Sequence, residues 1–305
     1  MDMNKKAFIY ALPAIVLLSG CSNDEGNAPQ PTDGLVALEA TSGIRMNTRA
    51  YDNTWEAGDA IGIYMLDGEE TDGDGNRKYT TGQTAENGSF TAAEGQTLYF
   101  PTNGATRDFV AYYPYRETWA EGNVYTVDVS NQTPQKAIDL MGAAKVAGKD
   151  KSDPKVAFVF THKLVKLAIT VKADGVSLTD DDLTGTTTRI TNQQTKAAYN
   201  VVTGSGVTVT AGTATAVNLH TEGLKAEGIV LPAASTENMA LEFTVPKLGN
   251  QVFRWSVNSA EKSKKFEAGS KYLYTITIGK AGVEVSSKVE DWTAGNGSGE
   301  TGEAE

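Results

Sequence analysis

Apolar side chains in this chain recur at every second position, in short segments set apart by turns containing Gly, Asn and Asp. Leu241, Phe243 and Val245 share one parity, as do Phe253, Trp255 and Val257, and again Tyr272, Tyr274 and Ile276. A period of two places such residues on one face of a strand and scatters them around a helix. The pattern predicts strands over Leu35–Ala40, Ala60–Leu66, Thr97–Phe100, Asp108–Tyr113, Val124–Val129 and Val156–Val171 in the first half. In the second half it predicts Ala197–Val202, Val207–Thr210, Ala216–Leu219, Gly228–Leu231, Ala240–Val245, Val252–Val257, Tyr272–Ile278 and Val283–Ser286. Pro246–Gln251, with Gly249-Asn250, reads as a hairpin between two of them.

One segment changes phase. Phe158, Phe160, His162 and Leu164 alternate on one parity, and Val165, Leu167, Ile169 and Val171 on the other. A slip of one residue turns every side chain over, so a bulge or bend near Leu164 is needed to keep both halves facing a core. Abundant Thr and Gly, regular strands and almost no helical periodicity make the fold class all-β, with sandwiches as the expected architecture. The strands divide best into an N-terminal sandwich over residues 35–174 and a C-terminal one over 175–292. The favoured boundary is the stretch from Ala173 to Leu183, with Asp180-Asp181-Asp182; Lys149–Lys155, holding Pro154, competes with it. Residues 293–305 are Gly, Ser, Thr, Glu, Ala and Asn and cannot bury enough to order themselves, so a disordered polar tail is expected.

The amino terminus points to export. Lys5 and Lys6 precede an apolar run from Ala7 to Leu18, then Ser19-Gly20-Cys21. This is the layout of a secretory leader over residues 1–20, and the run is too short for a permanent membrane span. Cys21 is the sole cysteine of the chain, and its setting resembles a bacterial lipobox. The resemblance implies cleavage between Gly20 and Cys21 and acylation of Cys21, which anchors the protein to a membrane without crossing it. Residues 21–34 read as a flexible tether, and Asn23-Asp24-Glu25 resembles the acidic signals that send lipoproteins to the outer face of the outer membrane. With no second cysteine, the folded part must be held by its core. The net charge of −11, with no basic stripe, argues against nucleic acid as a partner.

Nothing in the residues points to catalysis or to a cofactor. His162 lies between Phe160 and Leu164 on a strand and reads as a hydrogen-bonded core histidine; His220 ends a strand and reads as exposed. There is no Gly-x-Ser-x-Gly elbow, no zinc ligand pattern and no Gly-rich phosphate loop. Asp72-Gly73-Asp74-Gly75-Asn76 looks like the opening of a calcium loop, but Arg77 and Gln83 stand where Gly and Glu are required. Asp72, Asp74 and Asn76 are therefore a candidate calcium group, with a polar hairpin tip as the plainer explanation.

Several segments, taken in order, resemble the fimbrillin family, the subunits of type V pili. They are Trp55-Glu56-Ala57-Gly58-Asp59 through Tyr64, Phe109-Val110-Ala111-Tyr112-Tyr113-Pro114-Tyr115, Asp139-Leu140-Met141-Gly142-Ala143, Phe158 through Leu167, and Phe266-Glu267-Ala268-Gly269 through Trp292. The resemblance implies two tandem transthyretin-like β-sandwich domains, without enzymatic activity. It also implies assembly by strand exchange. A leading strand carrying Leu35, Val36 and Leu38 fills the subunit's own sheet, an arginine-specific protease cuts after it at Arg45 or Arg49, and a neighbouring fimbrial subunit supplies the replacement. On the donor side the pattern falters, because no apolar alternating strand follows Trp292. Val283, Val285 and Val289 either serve as donor or complete the second sandwich; the latter suits a tip or accessory subunit. The expected role is cell adhesion at the outer membrane surface, through a receptor on a host or neighbouring cell. The alternative is a monomeric glycan-binding lipoprotein of an outer-membrane sugar-uptake system, with an aromatic such as Trp119 as its platform.

Overall fold

The computed structural model describes residues 34–44, 54–72, 75–117 and 122–292. Every regular element among them is a strand except four single-turn 3-10 helices, so the chain is all-β. The strands are β1 (Glu39–Ile44), β2 (Ala60–Asp67), β3 (Glu70–Thr71), β4 (Arg77–Thr81), β5 (Asn87–Ala92), β6 (Arg107–Tyr113), β7 (Val124–Asp128), β8 (Met141–Ala143), β9 (Val146–Lys149), β10 (Lys155–His162) and β11 (Val165–Ala173). They continue with β12 (Thr187–Gln193), β13 (Lys196–Asn200), β14 (Thr208–Val209), β15 (Thr215–Asn218), β16 (His220–Glu222), β17 (Lys225–Val230), β18 (Ala240–Val245), β19 (Gln251–Ser256), β20 (Ser270–Gly279) and β21 (Gly282–Asp291).

The first half is a nine-stranded sheet in the order β3-β2-β4-β5-β1-β10-β8-β6-β9 that closes on itself, because β2 also pairs with β6. Its interior holds Trp55, Ile61, Ile63, Tyr79, Phe90, Phe100, Phe109, Phe158 and Phe160. Trp55 sits among Phe90, Tyr113 and Phe160, its ring centroid 5.1–5.4 Å from theirs, in edge-to-face contacts. The second half is a sandwich of β16-β17-β11-β20-β21 on β15-β12-β18-β19. Alternate residues of β11, β18 and β20 fill the space between the two sheets, as the period-two pattern requires. The hairpin expected after Val245 is present: a 3-10 turn at Pro246–Leu248 precedes Gly249 and Asn250, both left-handed, and β18 pairs antiparallel with β19.

The phase change at Leu164 has a different cause from a bulge within one strand. β10 ends at His162, bonded to β1 and β8 of the first sheet. β11 begins at Val165, bonded to β17 and β20 of the second. The inversion turns the chain from one core into the other, and it comes ahead of the Ala173–Leu183 stretch that the composition favours as a boundary. The two halves also share a sheet. β7, from the first half, pairs with β13, which carries β14. A third apolar cluster lies beneath it, with Tyr64, Leu66, Val110, Tyr112, Tyr125, Leu164, Tyr199, Ile229 and Trp292.

His162 and Trp292 lock this junction. Their rings stack 4.0 Å apart and nearly parallel, at 6°. The Nδ1 of His162 faces the Asp139 carboxylate at 2.8 Å, which makes it the core histidine expected from its flanking residues. His220 is exposed. The Trp292 amide donates to the Gly269 carbonyl, and Gly269 in turn donates to the Leu164 carbonyl at 2.8 Å. One aromatic ring thus ties the end of β21 to the end of β10. Replacing Trp292 by Ala is expected to destabilise the protein by about 3–5 kcal/mol, the usual cost of emptying a buried aromatic site. Chemical denaturation of the variant beside the wild type measures it.

Candidate functional site

The leading segment enters the first core. Leu38 donates to the Leu98 carbonyl, and Phe100 to the Val36 carbonyl, both at 2.9 Å, so the chain is held from Val36 onward. β1 then runs between β5 and β10. It is parallel to β10 (Glu39 opposite Lys155 through Ile44 opposite Phe160) and antiparallel to β5 (Ala40 opposite Phe90 through Gly43 opposite Asn87). Leu38, Ala40, Ser42 and Ile44 point inward and are buried. The strand therefore spans Glu39–Ile44, not Leu35–Ala40. Leu35 is 41% exposed, and Ser42 to Ile44, beyond the end of the predicted strand, belong to the ladder. Low overall hydrophobicity hid them. Ser42 and Gly43 are poor strand formers, and pairing on both edges holds them in the sheet regardless.

This insertion is imperfect in an informative way. The Ser42 hydroxyl is buried without a hydrogen bond, beside a cluster of aromatic and aliphatic side chains. Such a group costs about 1–3 kcal/mol. Ala40 leaves the other central inward position small. The acceptor surfaces are better built: Phe90 on β5, and Phe158 and Phe160 on β10, are all buried. So β1 completes a site whose walls are more apolar than β1 itself. Replacing Ser42 by Ala should raise the stability of the intact protein by about 1 kcal/mol, read as an upward shift of the thermal midpoint. No change, or a fall, would mean that the hydroxyl is satisfied in solution.

The Trp55-Glu56-Ala57-Gly58-Asp59 motif builds the far wall. Gly58 takes the left-handed φ of 95° that lets Asp59 fold back, its amide donating to the Glu56 carbonyl at 2.9 Å. The buried Asp59 accepts from the Glu56 amide at 2.7 Å and the Tyr113 hydroxyl at 3.1 Å, and meets Lys136 at 2.8 Å. Burial, and then the Asp59 charge, pushes the Tyr113 hydroxyl well above its ordinary range, so it stays a donor at any physiological pH. The motif positions Trp55 and Tyr113 and does no chemistry.

The remaining sequence candidates are scattered. Gly20, Cys21, Arg45, Arg49, Asp74 and Trp119 lie outside the described residues. Asp72 is engaged by the Arg107 guanidinium, and the Asn76 side chain accepts from Tyr112 at 2.6 Å and donates to the Arg116 carbonyl at 2.8 Å. Both are taken up by protein partners, and the described residues contain no cluster of three or more His, Cys, Asp or Glu side chains that could hold a metal ion. At the other end, β21 pairs with β20 from Gly282 to Asp291, and Val283, Val285 and Val289 pack on the second core. They complete the second sandwich.

The chain is thus all-β, and the first of its described strands sits in the middle of its first sheet. The family model for fimbrillin-like proteins matches residues 48–292, and the chain belongs to that family. A Bacteroides uniformis protein provisionally named fimbrium subunit Fim1C is 78% identical over 303 residues, covering 99% of this chain and all of that protein. A crystal structure of a provisionally assigned cell adhesion protein from Bacteroides uniformis is 77% identical, with TM-score 0.82, over 87% of this chain and 100% of that one. One from Bacteroides ovatus shares the fold at 21% identity and TM-score 0.63, over 85% of this chain and 97% of that one. The family is one of structural fimbrial subunits, not enzymes, and it places the chain in cell-surface fimbriae with other fimbrial subunits as partners. These relatives are fimbrial and adhesive and lend no support to the sugar-uptake alternative.

Proposed function

We propose that this chain is an accepting subunit, at the tip or in an accessory position, of a cell-surface fimbria assembled by strand exchange. The observation that carries this reading is the insertion of β1 between β5 and β10. Its removal leaves two unpaired edges and an uncovered interior, an acceptor for an extended segment from another subunit. Arg45 follows Ile44 directly and Arg49 comes four residues later; cleavage at either would free β1 while leaving the rest of the chain continuous. Ser42 and Ala40 make β1 a weak occupant that a more apolar donor strand outcompetes.

The chain would reach the outer membrane as a lipoprotein, with residues 1–20 as leader, Cys21 acylated and residues 21–34 as tether. The folded part is read as two transthyretin-like sandwiches in tandem, changing over at Lys163–Leu164, and residues 293–305 as a polar tail. β21, paired along its length and pinned by Trp292, stays at home, which favours accepting over donating. Adhesion to a host or neighbouring cell follows the name of the Bacteroides uniformis structure.

The test uses the purified protein, an arginine-specific protease and a fluorescent peptide with the sequence from Leu35 to Ile44. Intact protein should exclude the peptide. Cleaved protein should take it up into a complex that survives gel filtration, and the Arg45→Ala, Arg49→Ala double variant should resist both cleavage and uptake. Equal uptake by intact protein, or none after cleavage at these arginines, would overturn the reading.

A further inference from the structure

The outer face of the first sheet carries a second apolar concavity, away from β1. Between β2, β6, β8 and β10 on one side and the Val202–Gly204 turn on the other lies a cavity of about 710 Å³. Leu66, Val110, Ala143, Ala144, Val159 and Val202 form its apolar walls, and Glu69, Lys145, Thr161, Lys163 and Thr203 are its polar lining, with Glu69 exposed. The three-stranded sheet of β7, β13 and β14 covers the neighbouring part of this face, where Tyr112, Tyr125 and Tyr199 are buried, and stops short of it. Val159, on the outward parity of β10, is left 46% exposed at its edge. A pocket of this size, with an apolar wall and polar groups beside it, is a usual form of small-molecule site.

Its charge is uneven. Lys145 is tied to Asp108 at 3.4 Å. Lys163 is half-buried, its Nζ 5.6 Å from the centre of the Tyr199 ring, and meets no carboxylate among the described residues. Burial pushes its ammonium down, and no neighbouring charge opposes that shift. The site is built to hold it there. Gly142 on β8 has no side chain, and a Cβ at that position would come within 2.0 Å of the Tyr199 hydroxyl and 2.7 Å of the Lys163 Cε. The lining thus pairs aliphatic walls with one half-buried cation that has no carboxylate partner among the described residues; its one carboxylate, Glu69, is exposed, and no aromatic ring on which a sugar or base could stack is part of it.

We infer that this cavity binds an aliphatic monocarboxylate, its carboxylate on the Lys163 ammonium and its hydrocarbon body against Leu66, Val110, Val159 and Val202. The ligand carboxylate supplies the partner that Lys163 lacks, and the apolar walls recover the burial that Val159 now forgoes. A neutral ligand of the same body gains only the second term.

Laurate, below its micellar concentration, is the probe, with dodecanol and acetate as its separated parts. Titration calorimetry on the full protein should show one saturable site for laurate, with dodecanol weaker by about tenfold or more and acetate not binding measurably. Lys163→Met should bring laurate to the level of dodecanol. Val159→Trp, at an exposed position, should block both ligands with the thermal midpoint unchanged, and it carries the test if Lys163→Met does not fold. Absence of saturable laurate binding, equal affinity for dodecanol, or undiminished binding to Val159→Trp would overturn the inference.

Discussion

The hydrogen bonds that β1 makes on both of its edges hold the first half of this protein together. A strand at the edge of a sheet can leave and take one ladder with it; a strand in the middle takes two and opens the interior behind it. β1 occupies the middle, yet it lies near the amino terminus and is joined to the rest of the chain only through the residues after Ile44. It is covalently peripheral and structurally central. On the proposed reading, a single cut after Ile44 converts this closed core into a receptive one.

The two halves treat their leading and trailing ends differently. β1 is short, carries a buried hydroxyl with no partner, and is flanked by an arginine. β21 is long, lies on an edge, and ends in a tryptophan stacked on His162 and bonded to Gly269. On the proposed reading, the first end serves exchange and the second retention. The junction between the halves is also built for retention: the shared sheet of β7, β13 and β14, with the tyrosines beneath it, binds them through main chain as well as side chain.

Much of this was legible in the residues. Alternation in β18, β19 and β20 gave strand, face and hairpin together, because β18 and β20 each carry three or more inward apolar residues and β19 sets Phe253 and Trp255 on one parity. The parity switch across His162 to Val165 was legible, but it read as a bulge or bend within one strand, because the slip alone cannot distinguish that from a transfer between sheets. β4, β5 and β12 escaped notice for a common reason. Each turns only one large apolar residue inward, Tyr79, Phe90 or Ile190, and its other buried positions are polar or small, such as Thr81, Gly88, Thr188 and Gln193. Their place is set by neighbours on both sides, which no local pattern records. The sheet that joins β7 to β13 was hidden for the same reason, its partners being far apart in sequence. The Lys163 cavity left no trace in the chain, since its lining comes from five separate segments.

Hydrogen exchange of the backbone amides in β5 and β10, before and after removal of the leading segment, tests the central claim most directly. With β1 in place, Gly88–Phe90 and Val156–Phe160 should be among the slowly exchanging amides of the first half. Once β1 is cut and removed, they should exchange faster by orders of magnitude while β18 and β20 stay protected, and an added apolar strand should restore them. Unchanged protection in a cleaved protein that has lost β1 and stayed monomeric would show that the first core closes without it, and the account would fail.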